Sequence, residues 1–141
     1  MFLVMRSAHH RKMRVANMRE AIETPLFLGQ YQIFRFDDVP RAMLTWALLS
    51  ASAEKRYVSG EALYPEDWQS GERLWLIDLI APYPGLAKGL GRWMMEPGNF
   101  TSREFWFRRV LDGRRTRRIV HVDFERESKS RILTEEEFLN L

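Results

Sequence analysis

Apolar residues recur along this chain with several rhythms, and each rhythm predicts an element. Leu74-Trp75-Leu76-Ile77-Asp78-Leu79-Ile80-Ala81-Pro82 is a nearly continuous apolar run holding one charged residue and stopped by proline. A run this short and apolar predicts a central strand covered on both faces. Strict alternation would set Asp78 on the face of Leu74, Leu76 and Ile80. Leu86, Leu90, Trp93 and Met94 recur at helical spacing, predicting a helix closed by Pro97-Gly98. Residues 104–111 and 117–124 are strand-like runs on either side of Asp112-Gly113, a strong hairpin signal.

The remaining pattern is less regular. Residues 1–23 are basic and amphipathic and predict one or two helices, broken by Pro25. Residues 31–36 and 41–49 predict strands about the turn Asp37-Asp38-Val39-Pro40, residues 53–57 a short helix, and residues 64–71 a loop. From Glu125 the chain reads as a polar tail until Thr134, which with Glu137 forms a capping-box pattern for a short terminal helix. No repeat or interdomain linker is visible. The order predicts a single α+β domain over residues 1–141, a mixed, mostly antiparallel sheet flanked by helices.

Composition narrows the chemistry. With no cysteine in 141 residues, disulfides, thiolate nucleophiles and thiolate metal sites are excluded together, and a cytoplasmic location is compatible. The apolar start, Met1 to Met5, is too short for a signal-peptide core or a membrane span, so no stable membrane insertion is expected. The net charge is only +3, but seven arginines stand against two acids between Arg103 and Arg118. A second basic cluster holds Arg6, Arg11, Lys12, Arg14 and Arg19. Such clusters favour an acidic partner without choosing among classes.

The candidate chemistry starts at Asp78, because a carboxylate taken out of water needs a charged partner or hydrogen bonds. Read from the strand alone, it is either a structural carboxylate or a functional one. Of the three histidines, His121 alternates in Val120-His121-Val122-Asp123 as a sheet-surface residue. Basic neighbours of His9 and His10 tend to keep an imidazole neutral and able to accept a proton. No sequence cluster has metal-ligand spacing, so no metal is expected. Gly85, Gly89 and Gly91 open the predicted helix after the Asp78 strand. Free N–H groups there favour a phosphate, and close helix packing explains the glycines equally well.

Residues 65–82, PEDWQSGERLWLIDLIAP, resemble the signature of the RTX toxin-activating lysine acyltransferases, roughly E-D-W-x-S-G-[DE]-R-x-W-[FL]-I-D-[WL]-I-A-P-F-G. Asp67, Trp68, Ser70, Gly71, Arg73, Trp75, Ile77, Asp78, Ala81 and Pro82 match in register. Upstream, Ser7-Ala8-His9-His10-Arg11 is similar to the family's S-x-x-H-R and aligns its catalytic histidine with His10. Leu79 stands where Trp is commoner, and Tyr83-Pro84 stands where the family has Phe-Gly.

The resemblance implies a fold similar to the Gcn5-related N-acetyltransferases. It also implies transfer of a fatty acyl group from the phosphopantetheine of acyl carrier protein to a lysine ε-amine of a protein acceptor such as a protoxin. His10 would be the general base, supported by Asp78, with Ser7, Tyr57 and Gly71 as supporting positions. Gly85, Gly89 and Gly91 are candidates for the donor's phosphopantetheine, with no resident cofactor. Arg108, Arg109, Arg114, Arg115, Arg117 and Arg118 are candidates for docking acidic acyl carrier protein. The resemblance also admits a homodimer. The alternatives are an acyl-coenzyme A-dependent relative with a non-toxin acceptor, or a non-catalytic basic binding module. Nucleic acid is not expected as a partner, because no nucleic-acid motif is present.

Overall fold

Strand order in the sheet follows strand order in the chain. The computed structural model describes residues 15–111 and 115–141. Its elements are α1 (Val15–Leu28), β1 (Tyr31–Phe36), β2 (Val39–Leu49), α2 (Ala51–Val58), a 3-10 turn (Pro65–Trp68), β3 (Arg73–Ile80), α3 (Leu86–Met94), β4 (Glu104–Val110), β5 (Thr116–Asp123), β6 (Ser130–Leu133) and α4 (Glu135–Leu139). One six-stranded sheet runs β1-β2-β3-β4-β5-β6. Neighbours are antiparallel except β3 and β4, which are parallel and joined through α3. A parallel pair needs such a crossover, whereas tight turns suffice elsewhere. The result is the α+β single domain that the pattern predicts.

The sheet is covered on both faces, as the apolar run through β3 requires. On one face Leu44, Leu76, Phe105 and Val120 pack with Met94 of α3. On the other, Ala47, Trp75, Trp106 and Ile119 pack with Tyr57 and Val58 of α2 and Phe138 of α4. Further along that second face, Met43 and Ile80 meet Ile22 of α1. Trp75 anchors this side: it stacks on Trp106 at 5.8 Å between centroids and takes Phe138 edge-on at 5.6 Å.

Three local expectations change. Pro25 does not break α1 but lies inside it, in the last turn before Gly29 at φ +71°. Only one further turn of helix follows the lost N–H, so the disruption is small. β2 begins at Val39 and so includes Pro40, which sits where β1 is its only strand neighbour, since β3 pairing starts at Met43. The turn therefore shrinks to Asp37-Asp38, both at positive φ, as a two-residue hairpin demands.

The third change concerns residues 125–141. The capping box forms as expected: Thr134 Oγ1 accepts the Glu137 N–H at 3.1 Å, and the Glu137 carboxylate accepts the Thr134 N–H at 2.7 Å. The polar stretch ahead of it contains β6, an edge strand that sequence pattern missed. Its four residues carry two apolar side chains, of which Leu133 is buried. The tail is thus part of the core, because β6 delivers Phe138 onto Trp75 and Trp106.

Candidate active site

Between α2 and β3 the signature residues form a clasp. Asp67 takes both guanidinium nitrogens of Arg56, at 2.9 and 2.7 Å, and the Tyr64 N–H at 2.9 Å. The Arg56 guanidinium holds its carboxyl below the usual carboxylate range. Ser70 Oγ donates to the Asp67 carbonyl at 2.7 Å and accepts the Ser50 N–H at 3.0 Å. Gly71 passes so close to β2 that a Cβ there would lie 2.4 Å from the Leu49 carbonyl oxygen. Only glycine fits, which explains its place in the signature as structural. Glu54 of α2 is buried and accepts the Trp75 indole N–H at 2.8 Å. Burial pushes its carboxyl up, against the pull of Trp75 and Arg73. These contacts fix where β3 starts.

β3 does not keep strict alternation. Thr45 of β2 pairs with Asp78 while Trp46 pairs with Leu76, so Ile77 is an extra residue, a bulge. Beyond it Leu79 joins Leu74 and Leu76 on the α3 side of the sheet. Asp78 is therefore turned away from Leu74 and Leu76, correcting the face that period-two spacing predicts. It lies with Ile80 on the side of α1 and α2, half-buried rather than sealed. Its charge is felt by the Tyr57 phenol of α2.

Tyr57 and Arg108 complete this side. Arg108 on β4 places its guanidinium 4.1 Å from the Tyr57 ring centroid and donates to Thr116 Oγ1 at 3.2 Å. Thr116 in turn donates to the Val58 carbonyl at 2.7 Å. Burial pushes the Tyr57 phenol up, Arg108 pulls it back, and Asp78 adds a further upward push. Of the predicted docking arginines, Arg108 is half-buried and engaged with Tyr57 and Thr116, whereas Arg109, Arg115, Arg117 and Arg118 are exposed. Spacing along β4 sets Arg108 on the face of Trp106, but only packing against α2 brings its guanidinium over Tyr57. Ser7, His10, Arg114 and the predicted Asp112-Gly113 turn lie outside the described residues, so of the predicted catalytic and supporting positions Asp78, Tyr57 and Gly71 are the ones described.

Pairing between β3 and β4 is brief. Among the described residues, β3 and β4 register only at Trp75 and Trp106, although β3 continues to Ile80 and β4 to Val110. Past that pair, toward Asp78 on β3 and Arg108 on β4, the two strands have no further registered partners among the described residues. Gly85 caps α3 with φ +76°, a left-handed conformation that suits glycine. A Cβ at Gly89 or Gly91 would meet nothing within 4 Å, so close packing does not explain either glycine. Tyr83, at the family's Phe position, packs on the Met43–Ile80 cluster under Arg41, 4.9 Å from its ring centroid.

One cluster forms only in three dimensions. Glu104, His121 and Asp123 bring ligand-type atoms within 4.8 Å of one another. His121 lies flat on Trp106 at 3.8 Å, with Nε2 2.6 Å from Glu104 and Nδ1 3.2 Å from Arg126. Arg126 also reaches Asp123 at 3.5 Å, so a cation already occupies the cluster and the arrangement is an ion-pair network. Burial, ahead of these partners, lowers the His121 pKa.

A mixed sheet with a bulged central strand and a parallel neighbour is compatible with the fold of the Gcn5-related N-acetyltransferases. The chain belongs to the RTX toxin acyltransferase (HlyC) family, whose family model matches residues 1–123. It is 41% identical over 83 residues to the protein-lysine palmitoyltransferase CyaC of Bordetella bronchiseptica, covering 58% of this chain and 45% of that protein. It is 35% identical over 114 residues to the RTX-III toxin-activating lysine-acyltransferase ApxIIC of Actinobacillus pleuropneumoniae, covering 80% of this chain and 64% of that protein. To the protein-lysine myristoyltransferase RtxC of Kingella kingae it is 43% identical over 68 residues, 48% of this chain and 38% of that protein. The matches span about half the length of these relatives. Among the described residues, no helix is long and apolar enough to cross a membrane.

Proposed function

We propose that this chain is a protein-lysine N-acyltransferase that moves a fatty acyl group from the phosphopantetheine thioester of acyl carrier protein to a lysine ε-amine of a protein acceptor, a protoxin in the family pattern. The observation that carries the reading is Asp78, turned by the Ile77 bulge to the α1 and α2 side of β3, just past the last registered pair between β3 and β4. A linear pantetheine thioester suits such a place, because strand edges without registered partners offer N–H and C=O groups to an extended amide-bearing chain. The relatives' names as palmitoyl- and myristoyltransferases of protein lysine support the reaction class.

In this mechanism His10 takes the proton from the acceptor amine as it attacks the thioester carbonyl, and Asp78 supports the imidazole or the incoming amine. Nitrogen forms the amide bond, the C–S bond breaks, and the thiol leaves on the carrier. Tyr57 and Arg108 hold the wall beside Asp78. The open flank of α3 at Gly89 and Gly91 and the N–H groups after Gly85 receive the phosphate end of the donor arm. Arg109, Arg115, Arg117 and Arg118 form the exposed docking set.

The test incubates the protein with acyl carrier protein bearing C14 and C16 chains, and with proteins encoded beside its gene, then maps acylated lysines by mass spectrometry. A parallel arm supplies acyl-coenzyme A. Transfer from the carrier alone supports the reading; transfer from coenzyme A alone replaces the donor. Retention of transfer in both His10→Ala and Asp78→Asn removes the site assignment.

A further inference from the structure

Thr45 is the odd polar residue of the sheet. It is fully buried, yet among the described residues its Oγ1 finds no hydrogen-bond partner. It stands in β2 directly opposite Asp78, on the same face, one residue from the bulge that turns Asp78. Its neighbours along that face, Met43 and Ala47, are buried and apolar. Valine has the same shape and would fill this place without burying a hydroxyl. The hydroxyl is therefore not explained by packing.

Residues directly opposite in an antiparallel pair have Cβ atoms about 4.5–5.5 Å apart, within reach of a hydroxyl and a carboxylate. A carboxylate offers about four lone-pair sites, so it accepts a further donor beside any partner it already has. We infer that Thr45 is a positioning residue for the acyl transfer: in the reacting enzyme its hydroxyl rotates to donate to the Asp78 carboxylate and fixes the direction in which that group faces the base and the incoming amine. This rests on the acyltransferase reading for its role, though the pairing of Thr45 opposite Asp78 is independent of it. Thr45 acts through Asp78 and touches neither donor nor acceptor.

The experiment compares Thr45→Val and Thr45→Ser in the full chain. In acyl transfer, Thr45→Val is expected to lower kcat about tenfold, the rough cost of losing a charge-assisted hydrogen bond from a reacting group. KM for acyl carrier protein and the urea unfolding midpoint stay within error. Thr45→Ser keeps kcat within about twofold of the parent, since the donor is retained. A second readout needs no turnover: with a non-cleavable thioether analogue of acyl-pantetheine bound, the 13Cγ resonance of Asp78, assigned by its loss in Asp78→Asn, moves in Thr45→Val and not in Thr45→Ser.

Unchanged kcat and an unmoved resonance in Thr45→Val overturn the inference. Equal impairment of both variants with a lowered unfolding midpoint also overturns it and leaves Thr45 a packing residue. If the parent protein transfers no acyl group while the resonance still moves only in Thr45→Val, the reaction assignment fails and the contact stands.

Discussion

The signature sequence builds two neighbouring regions with opposite habits. In the clasp the carboxylate and the hydroxyl are answered, Asp67 accepting three N–H groups and Ser70 both donating and accepting, although the buried Trp68 Nε1 beside them has no partner among the described residues. A few residues further on, half-buried Asp78 stands opposite a buried threonine hydroxyl that has no partner among the described residues. A satisfied network rigidifies, whereas a polar group left incompletely satisfied stores free energy that a ligand or a reacting group can release.

Substitutions separate the two. Asp78→Asn tests the second region and carries the largest expected effect: kcat for acyl transfer falls at least about 100-fold, as loss of an acid–base group or its support does, with the thermal midpoint nearly unchanged. Gly71→Ala tests the clasp and has the reverse signature. A Cβ placed 2.4 Å from a backbone oxygen cannot be absorbed by a flexible side chain, so stability drops by about 3 kcal/mol. Activity per folded molecule persists, and urea titration paired with the transfer assay reads both. If Gly71→Ala is stable but inactive, the division between the regions is wrong.

Asp67→Asn is the milder break. Loss of the charged pair with Arg56 costs about 2 kcal/mol at neutral pH, within the range for hydrogen bonds to charged groups. Because the folded carboxyl lies below its ordinary value of 3.8, the wild-type advantage is full above that value and is lost as pH falls through the folded one. Glu54 has the opposite sign. Its folded pKa is raised above 4.5, so its contribution is greatest below that value and declines as pH rises through the folded one. Denaturation of Asp67→Asn and Glu54→Gln against the parent across pH 3–7 should show differences of opposite slope; parallel slopes would show the two carboxyls to be equivalent.

The smallest effect belongs to the exposed arginines. Arg109→Glu with Arg117→Glu is expected to raise KM for acyl carrier protein a few-fold and flatten its salt dependence, leaving kcat intact. Arg108→Glu behaves differently, lowering stability or kcat, because its guanidinium lies on Tyr57.

Much of this was legible in the chain alone. Hydrophobic rhythm placed the strands around residues 31–49, 74–80 and 104–124, the α3 helix and the terminal capping box, because period and punctuation are local properties. The apolar run made Asp78 conspicuous, and residues 65–82 carried the family. The four-residue β6 was hidden: its stability comes from pairing with β5 and from Phe138 on the tryptophans, neither of which is local.

Sequence also could not say which way Asp78 faces. A one-residue bulge reverses every later side chain in a strand, and bulges are set by the neighbouring strand rather than by the run that contains them. The same limit applies to Arg108, one arginine among seven between Arg103 and Arg118 until β4 brings it over Tyr57, and to Thr45, an ordinary strand residue until pairing sets it opposite Asp78. The chain by itself determined which residues exist, in what periodicity, and to which family they belong. Pairing across the sheet decided which of them meet, because contact between distant residues is a property of register and not of spacing along the chain.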